Sequence, residues 1–193
     1  MKKRQPYGPY RPVINDPAER ERSILDNTPA LFEIKRNPKS LQSLDTTYHL
    51  WNIDEFGQSS VQKFDDKILK HAQKYNLDPD LTRAVMYAEN ARGHKLGANM
   101  IADRARLSGS AMPMNIQKER WAKLLGKEPE DMYNPDNNIE SSTLLLGRIR
   151  DRIHQPTPEK IGSIWNYMGK EETTEFGEYI GQIYREKPWK KID

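Results

Sequence analysis

One carboxylate in this sequence stands where chemistry could be done. Glu89 closes the stretch Asn76-Leu-Asp-Pro-Asp-Leu-Thr-Arg-Ala-Val-Met-Tyr-Ala-Glu-Asn90, which has the make-up of a single well-started helix. Asp78 is a good N-cap because its carboxylate can accept from the open amides of the first turn, and Pro79 suits the first helical position, where no amide hydrogen is needed. Leu81, Ala84, Val85 and Ala88 recur at three- and four-residue spacing as an apolar stripe. Gly93, shortly after Glu89, is suited to a helix stop, so the carboxylate falls about where the helix gives way to a loop. An arbitrary Glu near a helix end is a solvated surface residue. The case for Glu89 as an acid therefore depends on what folds around it.

Other chemistries find little support. His49, His71, His94 and His154 share no metal-ligand spacing such as a pair at i and i+4, and the absence of Cys excludes thiolate catalysis, disulfides and Cys-ligated zinc. There is no Gly-rich phosphate loop and no Gly-x-Ser-x-Gly elbow. Neither a metal nor a cofactor is expected.

The elements that must position Glu89 are helices. The chain has 193 residues, enough for one core of ordinary size, and it is very polar, with 31% charged residues, 35% hydrophobic residues and a mean hydropathy of -0.95. A net charge of +3 and a pI near 8.9 permit attraction to anionic polymers without selecting among them. No apolar run approaches the length of a membrane span.

Two regions are expected. Residues 1–60 read as an irregular arm for docking, export or linkage: Pro6, Pro9, Pro12, Pro17, Pro29 and Pro38 interrupt it, and its apolar residues come in short patches such as Ala30-Leu-Phe-Glu-Ile34. Lys2, Lys3, Arg4 and Arg11 interleave with Tyr7 and Tyr10 as in single-strand binders, but the patch is short and soon turns acidic at Asp16, Glu19 and Glu21, so no nucleic-acid partner is expected. Residues 61–193 read as a mainly α domain of six or seven helices with no strand pair. One amphipathic helix carries Phe64, Ile68, Leu69, Ala72 and Tyr75; the Glu89 helix follows; another runs from Gln117 to Leu125 and ends at Gly126. A long helix is expected over Asn138–Ile153, a further one from the Thr157-Pro158 start through Trp165 to Gly169, and a last one from about Glu172 to Arg185.

Four short motifs then stand in a meaningful order. Tyr75-Asn-Leu-Asp-Pro-Asp-Leu81 with Ala84-Val-Met-Tyr-Ala-Glu89 resembles the opening motif of the lytic transglycosylase catalytic domain, a lysozyme-like fold. Pro113-Met-Asn-Ile116 is similar to that family's Leu-Met-Gln-Ile, Asn134-Pro-Asp-Asn-Asn-Ile139 to its Asp-Pro and Asn-Ile opening of a long helix, and Trp165-Asn-Tyr-Met-Gly169 to its Tyr-Asn-x-Gly. The resemblance covers about residues 62–185 and leaves the first sixty outside it.

The resemblance implies an enzyme that cleaves the β-1,4 bond between N-acetylmuramic acid and N-acetylglucosamine in peptidoglycan strands. A single Glu serves as acid and then base, and the muramyl 6-hydroxyl attacks to leave a 1,6-anhydro end, a departure from the two-carboxylate scheme. By this match Glu89 is the catalytic acid, with Val85, Met86, Met114 and Trp165 as an apolar wall that raises its pKa. Met114, Asn115 and Ile116 line the glycan groove; Trp165 and Asn166 occupy the family's Tyr-Asn positions.

Several residues differ from the family pattern. Asn90 follows the acid where Ser is usual, Met112-Pro113 stands in place of Gly-Leu, and the interval from Glu89 to Met114 is longer. Trp165 replaces a Tyr whose hydroxyl positions the acid; an indole cannot accept a hydrogen bond and its NH sits elsewhere, so either Tyr167 or another Tyr substitutes or the interaction is altered. The longer interval offers Asp103 as a candidate second carboxylate, which would hold a water and make the enzyme a hydrolytic muramidase. Non-enzyme alternatives are a glycan-binding module that kept the groove, or an adaptor acting through the basic arm. The N-terminus begins with positive charges but no apolar core follows them, so no cleavable signal peptide is expected. A wall-cleaving protein made in the cytoplasm would then reach the periplasm or cell wall through a specialised secretion apparatus, as an antibacterial effector with an immunity protein as partner, or through a phage.

Overall fold

A computed structural model describes residues 10–47, 54–92 and 109–190, and the chain is mainly α over them. Eight α-helices are present among the described residues: α1 (Pro17–Leu25), α2 (Pro38–Thr47), α3 (Asp54–Lys74), α4 (Pro79–Arg92), α5 (Lys118–Trp121), α6 (Pro135–Arg150), α7 (Pro158–Asn166) and α8 (Glu175–Glu186). Five of them begin with Pro; at α1, α6 and α7 the residue before it, Asp16, Asn134 or Thr157, caps the helix with its side chain. No helix among the described residues is long and apolar enough to cross a membrane.

The Glu89 helix, α4, is the centre of the molecule. It packs on α3, α6 and α8, and nearly all of its side chains from Leu81 to Ala91 are buried, with only Arg83 and Glu89 half-buried. A helix buried over most of its surface is a core helix, here with its polar side chains Thr82 and Asn90 buried as well. The α3–α4 contact is close because Gly57 lets the ring of Tyr87 approach to where a Cβ would stand; any side chain there would meet the ring carbons at about 2.9 Å. α3 begins well before the Phe64 expected from periodicity, because its first two turns are polar and carry no apolar stripe to mark them.

α7 and α8 form a second helical pair. Gly177 makes it close: a Cβ there would overlap Ser163 Oγ and the Glu159 carbonyl. Ser163 Oγ donates to Glu159 O at 2.7 Å and accepts from Thr174 N at 2.8 Å, which fixes the axial register of the pair. α7 ends at Asn166, one turn before the expected Gly169, and the chain turns away at Tyr167.

The expectation of no strand pair is corrected by a short antiparallel hairpin, β1 (Ser110–Ala111) and β2 (Ile116–Gln117), with the turn Met112–Asn115 between them. Two-residue strands carry no readable alternation. The division at residue 60 is also corrected. From residue 10 onward the described arm belongs to the same body: Ile24, Ala30, Phe32 and Ile34 join the core that holds Val85 and Met86, and single parallel bridges pair Phe32 with Ile153 and Lys35 with Glu172. The arm is held largely by arginines rather than by an apolar stripe. Arg152 donates to the carbonyls of Ser23 and Thr28 at 2.8 Å each, and the fully buried Arg20 donates back to Met168 and Lys170.

Candidate active site

Glu89 lies in the last turn of α4, at an open cleft of about 380 Å³. Its two carboxylate oxygens are held from opposite sides. Trp165, in the last turn of α7, donates its indole Nε1–H to Oε1 at 2.8 Å, and Asn115 donates its amide Nδ2–H to Oε2 at 3.0 Å. Asn115 ends the hairpin turn with φ of 53°, a left-handed conformation that Asn tolerates better than most residues, and this turns its amide toward α4.

The hairpin is itself fixed by two buried amides. Asn90, next to the acid, donates to Met86 O at 2.7 Å and to Pro113 O at 2.8 Å, so it ties the end of α4 to the turn. A Ser hydroxyl has one hydrogen and could make only one of these bonds. Asn138 on α6 accepts from Met114 N at 3.1 Å and donates to Ala111 O at 2.9 Å and Met132 O at 3.0 Å, with no exposed surface. Replacing Asn138 by Ala leaves three buried backbone groups unpaired; a loss of about 3 kcal/mol is expected, read as a lowered denaturation midpoint at unchanged slope.

Burial pushes the Glu89 carboxyl above the ordinary Glu range; the hydrogen bonds from Trp165 and Asn115 and the charge of Arg92 oppose this without cancelling it. Such a group can carry a proton at a pH where an ordinary Glu has lost it. Among the described residues that line the cleft it is the sole carboxylate; the others include Arg92, Ser110, Gln117, Arg120, Asn166 and Tyr167 at the polar edge and Ile116, Trp121, Leu145, Trp165 and Phe176 as apolar wall.

The structure therefore brings Glu89, Asn115, Ile116, Trp165, Asn166 and Tyr167 to one cleft. Met114 does not line it: the residue is fully buried, and its amide is taken by Asn138. The expected wall is corrected in part: Val85 and Met86 are fully buried away from the cleft, Trp165 does line it, and the rest of the apolar wall comes from Ile116 on β2, Trp121, Leu145 and Phe176. The expectation that the Trp165 indole NH sits away from the acid is overturned by the 2.8 Å bond; Tyr167 is 54% exposed at the rim. Asp103 and His94 lie outside the described residues. Arg92 and Phe176 were missed by the motifs, although Arg92 is one turn past Glu89 and so shares its side of α4.

One group of described residues has donor atoms close enough to hold a metal ion: His71, Asp136 and Glu140. Its carboxylates are already matched, Asp136 with Lys70 at 3.1 Å and His71 at 3.0 Å and Glu140 with Lys74, and these bonds hold both carboxyls below the ordinary range despite some burial. Its evident role is to tie α3 to α6. Comparison of the chain with protein-family models, with curated proteins and with solved structures finds no match.

Proposed function

We propose that this protein cleaves the β-1,4 bond between N-acetylmuramic acid and N-acetylglucosamine in peptidoglycan, with Glu89 as the single acid and base of a lysozyme-like transglycosylase. The observation that carries this reading is the Glu89 carboxyl itself: protonatable through burial, open to a cleft, and fixed by donors from two separate elements. The order of the four motifs along the chain supports it, since three of them supply Glu89, Asn115 and Trp165 to that one point.

In the first half of the reaction Glu89 gives its proton to the glycosidic oxygen as the bond from the muramyl C1 breaks. The carboxylate that remains is stabilised by the Trp165 and Asn115 hydrogen bonds, which favour the charged form. It then takes the proton of the muramyl 6-hydroxyl while that oxygen closes on C1. The products are a 1,6-anhydro end and a free 4-hydroxyl, and Glu89 is again protonated without any water consumed. Trp165 can only donate, so Oε1 is kept as an acceptor, whereas the Asn115 amide can turn its oxygen to accept, so the transferable proton belongs on Oε2.

A peptidoglycan digest read by mass spectrometry tests the reading. Anhydro-muramyl ends are expected; reducing ends would mean that water attacks, as in a muramidase, and binding without cleavage would mean a glycan-binding module. Trp165→Phe, which keeps the ring and removes the NH, is expected to lower kcat about tenfold, the worth of one hydrogen bond to a charged group. It should also move the alkaline limb of the pH–rate profile, where the acid loses its proton, to higher pH, because that bond lowers the Glu89 pKa. An enzyme of this activity acts in the periplasm or cell wall; export by a secretion apparatus, or release with a phage, would bring it there, and an immunity protein seated in the cleft is the partner implied.

A further inference from the structure

The segment that leaves the cleft after Trp165 is built around an aromatic ring that it does not bury. Tyr167 lines the cleft wall and is 54% exposed, yet the turn that carries it is tightly held. Its amide donates to Ser163 O at 3.2 Å, and the Lys170 amide closes back on Tyr167 O at 3.2 Å. The buried Arg20 takes the carbonyls of Met168 and Lys170, on either side of Gly169. A Cβ at Gly169 would stand 2.7 Å from Tyr167 Cε1 and 2.9 Å from Pro17 Cγ, so the edge of the ring rests on the backbone and the backbone rests on α1. Lys170 Nζ lies over the ring, 5.7 Å from its centroid. Propped on these groups, the ring is fixed while much of it stays open to the cleft. An apolar face already fixed in place loses little freedom when a ligand covers it.

We propose that the Tyr167 ring is a platform on which one pyranose of the glycan strand lies, placing the strand along the cleft wall beside Glu89. This rests on the glycan-cleaving reading for its ligand and adds a binding residue and the feature of the sugar that it recognises. In β-1,4-linked N-acetylhexosamines the ring substituents are equatorial and the C–H bonds axial, so each sugar has an apolar face and a polar edge. Laying that face on the Tyr167 ring removes apolar surface from water on both partners and sets C–H groups against the negative face of the aromatic ring. The polar edge then meets the rim, where the exposed Asn166 amide and the Tyr167 hydroxyl can exchange hydrogen bonds with hydroxyl and acetamido groups. Platform and acid share a mount. Tyr167 caps the last turn of α7, and Trp165 in that same turn donates to Glu89 at 2.8 Å, so a sugar seated on the ring has a fixed offset from the carboxyl.

The test is calorimetric binding of soluble, peptide-stripped glycan strands to Glu89→Gln, which does not turn over, alone and combined with Tyr167→Phe or Tyr167→Ala. Tyr167→Phe keeps the face and is expected to bind as Glu89→Gln alone does. Tyr167→Ala should weaken binding about tenfold, the worth of one aromatic contact, and make the heat-capacity change of binding less negative, because less apolar surface is covered. In the active enzyme Tyr167→Ala should raise KM by a similar factor and leave the pH–rate profile in place, since the bonds to Glu89 are untouched. Thermal melts show that each variant is folded. Equal binding by all three proteins, or a loss in Tyr167→Phe as large as in Tyr167→Ala, overturns the platform; so does a Tyr167→Ala enzyme whose pH–rate profile shifts, because Tyr167 would then act through Trp165. If wild type cleaves peptidoglycan and binding ignores Tyr167, only the Tyr167 assignment falls. If binding depends on the Tyr167 face and wild type yields no cleavage product, the platform stands in a glycan-binding cleft and the transglycosylase reading falls; binding of no strand overturns both.

Discussion

Glu89→Gln is expected to reduce peptidoglycan cleavage by about 10³-fold, the usual worth of a positioned general acid, while making the protein no less stable. The two effects have one cause. The carboxylate is partly desolvated and its pKa is raised, so at neutral pH the folded state holds a charge at a cost that the unfolded chain does not bear. Gln removes the charge and keeps most of the geometry. Its carbonyl can accept from Trp165 Nε1, and its NH2 meets Asn115, whose amide can turn to present oxygen.

The pH dependence fixes the sign. Between the ordinary Glu pKa and the raised native one, the folded wild type binds more protons than the unfolded chain, so its stability falls as pH rises through that interval. The variant has no such group. The difference in Tm, variant minus wild type, should therefore widen as pH rises from the acidic side and level off above the native pKa. Thermal melts by circular dichroism over a pH series measure it. A difference that stays constant would mean that the carboxyl is as well solvated folded as unfolded, and Glu89 would lose the property that suits it to proton donation. Full activity of the variant on purified peptidoglycan would remove it from the mechanism altogether.

Much of the fold was legible wherever a helix announces itself chemically. Asp78-Pro79 and Thr157-Pro158 each start a helix as their cap and Pro require, the long helix expected from Asn138 begins earlier, at Pro135 behind the Asn134 cap, and Gly126 ends a helix in the left-handed conformation. The same start signal stands at Asp16-Pro17, with Asp16 accepting from Glu19 N at 2.9 Å, inside the stretch expected to be an irregular arm. α1 has only Ile24 and Leu25 as large apolar residues, so no periodic stripe supports it. What anchors it is a set of arginine side chains on backbone carbonyls, and hydrogen bonds of that kind leave no period in the sequence.

The candidate site was legible to the depth of its local chemistry. Glu89 and Asn115 could be named because one stands at a helix end and the other in a short motif. Trp165 could be named too, but its role could not. Where an indole NH reaches depends on how closely α7 approaches α8, and that distance is set by Gly177 against Ser163, residues with no visible tie to catalysis. The apolar wall was misplaced for a related reason. Val85 and Met86 are neighbours of Glu89 along the chain, yet in a helix buried on every side such neighbours face the core, and the cleft is walled by residues from other elements.

Arg20→Met is expected to cost about 4 kcal/mol, because it leaves several buried carbonyls without a donor, and to lower activity even in the protein that remains folded. Arg20 has no exposed surface; its Nε donates to Ile14 O at 2.7 Å, one terminal nitrogen to Met168 O at 2.7 Å and Lys170 O at 2.6 Å, and the other to Asn15 Oδ1 at 3.0 Å. Its guanidinium lies over Phe32, so a Met of similar length can fill the space but satisfies none of the acceptors. Two of those acceptors flank Gly169 in the segment directly after Trp165, Asn166 and Tyr167, so Arg20 clamps the chain that leaves the cleft. Without the clamp the last turn of α7 is freer to move, and the Trp165 bond to Glu89 loosens. Arg20→Lys keeps the charge and one or two of the bonds, and it should recover part of both losses. Denaturant midpoints give the stability, and kcat measured well below the variant Tm gives the positioning effect. If Arg20→Met melts early but turns over peptidoglycan at the wild-type rate while folded, the arginine holds α1 to the body and has no hold on the site.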